Sequence, residues 1–265
     1  MSRLIDKFHE ASKVVAPPMG FRTARPAAAA PKILLIASLE AGELENWAGS
    51  LDAADAVLIR YDEVAVTIKV LQKIASSLAK IPWGIYLADD DTKKVAATQA
   101  GADFVVFAID SQVTDSPKDD KTGKILQVES SLDDGLLRAV NDLPVDAVLA
   151  DETFEGEASP LVWHQLMILQ HLANLISKPL VVPAPAGITE KELKALWDAG
   201  VDGITVEVDK AGEAGLKELR QVINKLPPRA GRKRGKVSVV LPRTAPRHQH
   251  PRLPTKKKRK KTSSL

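Results

Sequence analysis

Residues 53–62 read AADAVLIRYD, and the same design returns at 101–110 as GADFVVFAID, at 144–152 as PVDAVLADE and at 200–209 as GVDGITVEVD. Each copy has a small or turn-forming pair, an Asp, a short run rich in apolar β-formers, and an acid near its end. The leading residues Asp55, Asp103, Asp146 and Asp202 recur at intervals of 48, 43 and 56 residues. Between them lies a second kind of apolar run that follows a Lys: PKIL at Lys32, KIPW at Lys80, GKIL at Lys124 and SKPL at Lys178. Short, nearly continuous apolar runs suit parallel strands buried on both faces. Eight of them in a fourfold odd/even rhythm predict an α/β chain closed as a (β/α)8 barrel of the TIM type, a rhythm that a doubly wound sheet has no reason to show. The repeated Asp falls where a helix hands over to a strand, on the lower face of such a barrel. There it is expected to cap a turn or bind loop amides.

Working outward, the predicted strands are KILLIAS (32–38), AVLIRYD (56–62), WGIYLAD (83–89), FVVFAID (104–110), KILQVES (124–130), AVLADE (147–152), PLVVPAP (179–185) and GITVEVD (203–209). Helical patterns fill most of the gaps. Two carry start signals: Ser159 before Pro160, and Thr189 followed three residues later by Glu192, the spacing of a capping box. The polar stretch SQVTDSPKDDKTGK (111–124) stands where the fourth barrel helix belongs, so a loop is expected there. Residues Leu4 to Val14 read as a short amphipathic helix, and the Ala/Pro-rich run to residue 31 as a linker. The expected organisation is helix and linker over 1–31, barrel over 32–228 and tail over 229–265.

Composition narrows the chemistry. The chain has no cysteine, which excludes disulfides, thiolate metal sites and cysteine nucleophiles. No run reaches the roughly 18 apolar residues of a membrane span, and MSRLIDKFHEASKVV lacks the apolar core of a secretory signal. A cytoplasmic protein, not transmembrane, is the expectation. No Gly-rich nucleotide loop occurs, neither G-x-G-x-x-G nor a P-loop. His164 and His171 are expected to pack a helix alongside Met167 and Ile168.

Active sites of such barrels lie at the C-terminal ends of the strands. Those ends carry Ser38, Glu40, Arg60, Asp62, Glu63, Asp89 to Asp91, Asp110, Glu129, Asp151, Glu152, Pro183, Pro185, Glu207 and Asp209, an acidic mouth with Arg60 as its one obvious cation. Crowded carboxylates must protonate, spread into water or bind a cation, and magnesium suits hard oxygen ligands. The alternative is that most of them sit in first helical turns, favoured by the helix dipole. A phosphate site after strands seven and eight is a third reading. Ala186-Gly187-Ile188 half-fits it, but VEVDKAG (206–212) offers acids where amides are needed.

KILLIASLEAGELENWAGSLDAADAVLIRYDEV (32–64) and ILQVESSLDDGLLRAVNDLPVDAVLADE (125–152) resemble the citrate lyase β-subunit and hydroxy-oxo-acid aldolase barrels, of the phosphoenolpyruvate/pyruvate type. That resemblance implies a divergent metal-dependent lyase or aldolase acting on a small oxo-acid. Carried onto this chain, it makes Glu129 and Asp151 the ligands of Mg2+ or Mn2+, with Asp62 or Glu63 as the acidic end of strand two. The family's substrate-binding Arg on strand three has no counterpart in WGIYLAD, and Arg60 is the candidate to replace it. Barrels of this kind often form homo-oligomers.

The net charge of +3 conceals two opposed parts. Residues 229–265 hold 14 Lys/Arg and no acid, leaving 23 basic and 34 acidic residues in the rest, a net of −11. GRKRGK and TKKKRKK flank a Pro- and Arg-containing stretch too poor in apolar residues to fold alone. Such an arm attracts nucleic acid or an anionic membrane surface, or it rests on the acidic mouth, or it only keeps the chain in solution. A non-catalytic barrel serving as a binding or scaffold module, its tail holding a polyanion, is therefore the alternative to an enzyme.

Overall fold

The computed structural model describes residues 2–12, 32–47, 50–61, 68–87, 100–112, 121–151 and 160–227. Strands β1 (Leu34–Glu40), β2 (Ala56–Arg60), β3 (Trp83–Leu87), β4 (Phe104–Ala108), β5 (Gly123–Val128), β6 (Ala147–Ala150), β7 (Leu180–Pro183) and β8 (Gly203–Glu207) are all parallel. They pair in sequence order, and β8 returns to β1 to close the barrel. The (β/α)8 expectation is met. The described helices are α1 (Arg3–Ser12), α2 (Leu44–Trp47), α3 (Ile68–Ser77), α4 (Asp134–Ala139), α5 (Trp163–Leu175), α6 (Glu190–Ala199) and α7 (Val208–Lys225). The expected loop in place of a fourth helix falls mainly on 113–120, and the basic tail on 229–265, outside the described residues. Among the described residues no helix is long and apolar enough to cross a membrane.

Period-two alternation sorts the strand side chains into two cores. Ile33, Leu35, Ala37 and Leu39 of the first strand region point outward and pack with Leu71, Ile74, Leu193, Leu216 and Leu219 of the surrounding helices. Leu34, Ile36, Ala56, Leu58, Phe104, Val106, Ile125, Ala147, Leu149 and Val181 point inward. Joining them are Leu4, Ile5 and Phe8, which are 0%, 3% and 1% exposed. The amphipathic N-terminal helix therefore contributes its apolar face to the barrel interior. Two inward glycines make room for it. A Cβ on Gly123 would lie 2.9 Å from both Ile5 Cγ1 and Ser2 Oγ, and one on Gly203 would lie 3.1 Å from the Phe8 ring.

The repeated Asp explains both the rhythm and its exception. Asp55, Asp146 and Asp202 each donate their amide to the carbonyl of Leu35, Lys124 or Leu180, at 2.7–2.8 Å. Their carboxylates accept in return from the amides of the same three residues, at 2.9, 2.8 and 3.0 Å. This two-way bond finishes the lower edge of the sheet, where the ladder would otherwise leave an amide unpaired. Asp103 also donates to the carbonyl of Trp83. Its carboxylate, however, accepts from Ser2 Oγ (2.7 Å), the Arg3 amide (2.8 Å) and the Leu4 amide (3.0 Å). One of the four edge aspartates has thus become the N-terminal cap of α1.

Helix boundaries split the two start signals. Thr189 and Glu192 form the expected box: the Glu192 amide donates to Thr189 Oγ1 (3.3 Å) and the Thr189 amide to Glu192 Oε2 (2.8 Å). Ser159 before Pro160 does not start α5. That helix begins at Trp163, where the Gln165 side chain accepts from the Val162 amide at 3.1 Å. His171 does not pack the helix inward either; it is exposed and bonds Asp134 of α4 at 2.8 Å.

Phe8→Ala should lower the unfolding free energy by about 3 kcal/mol or more, because its ring fills the barrel floor and few neighbours can collapse into the gap. Urea denaturation of the two proteins checks this; a loss within 0.5 kcal/mol, taken as roughly the effect of a surface substitution, would show that α1 is not part of the core.

Candidate functional site

At the upper end the inward side chains become polar and open a cavity of about 810 Å3. Its floor is Ser38 of β1, Leu58 of β2, Tyr86 of β3, Gln127 of β5, Leu149 of β6 and Thr205 of β8. Its rim carries Arg60, Asp151, Glu207 and Lys210, with the turn Pro185–Gly187 beyond β7. Each strand contributes through the same alternation: Ile36 lies in the core and Ser38 two residues later in the cavity, and Leu58 is likewise followed by Arg60. Apolar inward residues thus give way to polar ones towards the strand ends.

Arg60 points inward, and Nη2 lies 2.5 Å from Glu207 Oε1. Strand β1 separates β2 from β8, so this ion pair spans a strand, above Ser38, which is 4% exposed. Glu207 Oε2 lies 2.6 Å from Lys210 Nζ in the first turn of α7. Gly212, at φ 64°, breaks α7 just beyond that turn, so Lys210 sits on a short segment of its own. Lys210 chiefly, then Arg60, holds the Glu207 carboxyl below the usual carboxylate range, against burial acting the other way.

The structure therefore revises the acidic mouth. Among the described lining residues two cations face two carboxylates, Asp151 and Glu207. Glu40, Asp110 and Glu129 are exposed and outside the lining, and Asp209 is exposed in the first turn of α7, where the helix dipole favours it. A strand-end position alone does not aim a side chain inward, since the chain leaves the ladder there. Asp62, Glu63, Asp89 to Asp91 and Glu152 lie outside the described residues.

Of the candidate metal ligands, Asp151 lines the cavity and Glu129 does not. The backbone keeps them adjacent: Val128 pairs with Ala150, and the Asp151 amide donates to the Val128 carbonyl at 2.8 Å. Glu129 Oε2 instead accepts from Ser131 Oγ at 3.0 Å. No group of three or more His, Asp and Glu able to hold a metal occurs among the described residues. Two register-matched carboxylates meet the number that magnesium needs when it keeps several waters.

The strand-end reading singled out Ser38, which lines the cavity, and passed over Gln127, Thr205 and Lys210. Gln127 and Thr205 had a signal: each is a polar residue at an inward, period-two position of an otherwise apolar strand. Lys210 was signalled only by its three-residue spacing from Glu207. Gln127 Oε1 is buried with no hydrogen-bond partner, as is the hydroxyl of Tyr61 on the outward face, whose pKa burial pushes well up.

No family model and no curated protein matches the chain by sequence. Solved structures do match by shape. A mutant tryptophan synthase α-subunit from Pyrococcus furiosus superposes with a TM-score of 0.56 at 14% identity, covering 73% of this chain and 97% of that one. A thiamine phosphate pyrophosphorylase from the same organism gives 0.54 at 17% identity, covering 73% and 96%. At such identities the likeness concerns the TIM-barrel fold alone, shared here with enzymes. These two matches do not confirm the oxo-acid lyase resemblance.

Because the folded pKa of Glu207 is depressed, its stabilising share is complete above the unfolded carboxylate pKa and is lost as pH falls through the folded value. The wild-type melting midpoint should therefore drop on acidification below about pH 4 more steeply than that of Glu207→Gln. Identical acid limbs in a pH series of thermal melts would refute this.

Proposed function

We propose that the chain is a divergent (β/α)8 enzyme of the lyase or aldolase kind whose mouth takes a small oxo-acid. The observation that carries the reading is that Arg60 and Asp151 line one cavity from opposite parts of the barrel. Arg60 is the clamp for the ligand carboxylate, since its planar fork suits two-point recognition of such a group. Ser38 and Thr205 offer neutral hydrogen bonds to the remaining oxygens.

A divalent cation, Mg2+ or Mn2+, would be held by Asp151 together with Glu129, once Glu129 exchanges its bond to Ser131. Such an ion supplies a Lewis acid that polarises a carbonyl and steadies an enolate. The chain's own part is to orient the acid on Arg60 and to bury its carbon skeleton against Leu58 and Leu149. Asp62 and Glu63, which follow Arg60 and Tyr61 in sequence, are the proposed acid–base candidates of that strand end.

Pyruvate with magnesium should raise the melting midpoint of the full chain, and Arg60→Ala should abolish the pyruvate response. Saturation at 100 times Kd would correspond to about 2.7 kcal/mol of added stability. Glu129→Ala and Asp151→Asn should each remove the magnesium-dependent part. A magnesium-independent midpoint would eliminate the metal, and an unchanged pyruvate response in Arg60→Ala would eliminate the clamp.

The composition of residues 229–265 supports a second, separable reading, in which the barrel is a binding module and its arm holds a polyanion. Nucleic-acid affinity of the full chain should then fall on the order of a thousandfold between 50 and 200 mM salt, through counterion release. It should vanish on truncation at Arg229; binding that survives truncation would rule the arm out.

A further inference from the structure

Glu207 occupies the place where an anionic ligand would be expected. It bonds Arg60 at 2.5 Å and Lys210 at 2.6 Å, the two cations of the described cavity lining, and itself lines the cavity. The turn Pro185–Gly187 opens into the same cavity beside β8. We propose that Glu207 is a specificity-determining residue: it makes the mouth accept an acid of single negative charge and refuse a phosphate dianion. This inference rests on the reading that the mouth takes a small acid.

The charge count gives the reason. Arg60, Lys210 and Glu207 sum to +1. A monocarboxylate brings the cluster to neutrality, whereas a phosphate dianion leaves it at −1, with Asp151 on the same rim adding to the repulsion. A fixed carboxylate repels both anions, but the dianion about twice as strongly as the monoanion, so it discriminates between them. Glu207 is partly buried, its side chain 33% exposed, so solvent screens it less than a surface carboxylate. Its two partners also fix it in place, so it cannot turn away from an incoming anion without giving up both bonds.

The test is calorimetric titration of the full chain with sodium pyruvate and with inorganic phosphate at constant ionic strength, for wild type, Glu207→Gln and Glu207→Asp. The basic tail is common to all three and cancels in the comparison. Glu207→Gln should gain phosphate affinity by about tenfold or more relative to pyruvate, whereas Glu207→Asp, which keeps the charge, should not. Should the amide variant fail to fold, Glu207→Ala must show the same gain. A phosphate-to-pyruvate ratio unchanged in the neutral variant, or a wild type that binds phosphate as tightly as pyruvate, overturns the inference. If phosphate binding appears in Glu207→Gln while wild type ignores pyruvate, the oxo-acid reading falls and the role of Glu207 stands. If pyruvate binds and the ratio does not move, the reverse holds.

Discussion

A closed ring of eight parallel strands has an interior that must be filled from end to end, because unfilled space forfeits packing contacts. The inward residues of this chain are too small to do so at the floor, where Gly123, Gly203, Ala56 and Ala147 come forward. The N-terminal helix supplies what is missing through Leu4, Ile5 and Phe8. It stays there because Asp103 caps its first turn with three hydrogen bonds. Closing the floor leaves the upper end as the open one, so the location of the cavity follows from the plug as much as from the strands.

The polar end obeys a different rule. Charges that share a partly enclosed cavity must be balanced, and here a single carboxylate sits between two cations drawn from β2 and the first turn of α7. Glu207 can do this only because β8 neighbours β1 and β1 neighbours β2, an adjacency created by closure. In an open sheet of the same strand order, β8 would form one edge and β2 would stand next to the other. The electrostatic character of the mouth is thus a consequence of topology. Counting acids along the chain suggests an anionic mouth, whereas among the described lining residues two cations balance two carboxylates.

Much of the fold was legible because it rests on patterns that act locally. The fourfold Asp marks strand starts wherever it occurs, since its amide bonds the preceding strand's lower end in all four copies and its carboxylate does so in three. Thr189 and Glu192 start their helix for the same kind of reason, a bond across three residues. Ser159 and Pro160 carry a similar signal, yet α5 begins three residues after Pro160, with Gln165 supplying the cap that Ser159 was expected to give. The site was less legible. Arg60 and Asp151 do reach one cavity, whereas Glu129, one residue past the end of β5, is drawn to Ser131.

The sequence by itself determined the strand count, the parallel closed architecture, the edge role of the aspartates and the separation of an acidic body from a basic arm. These depend on periodicity, composition and bonds between neighbouring segments. Only the tertiary structure decided that α1 belongs to the barrel interior, that one edge aspartate was reassigned to hold it, and that Glu207 joins Arg60 to Lys210. Each of those facts depends on a contact between distant residues, such as Ser2 with Asp103, 101 positions apart, or Arg60 with Glu207, 147 apart. Side chains that far apart in the chain meet only when the ring closes, and no local pattern records which of them will face each other across it.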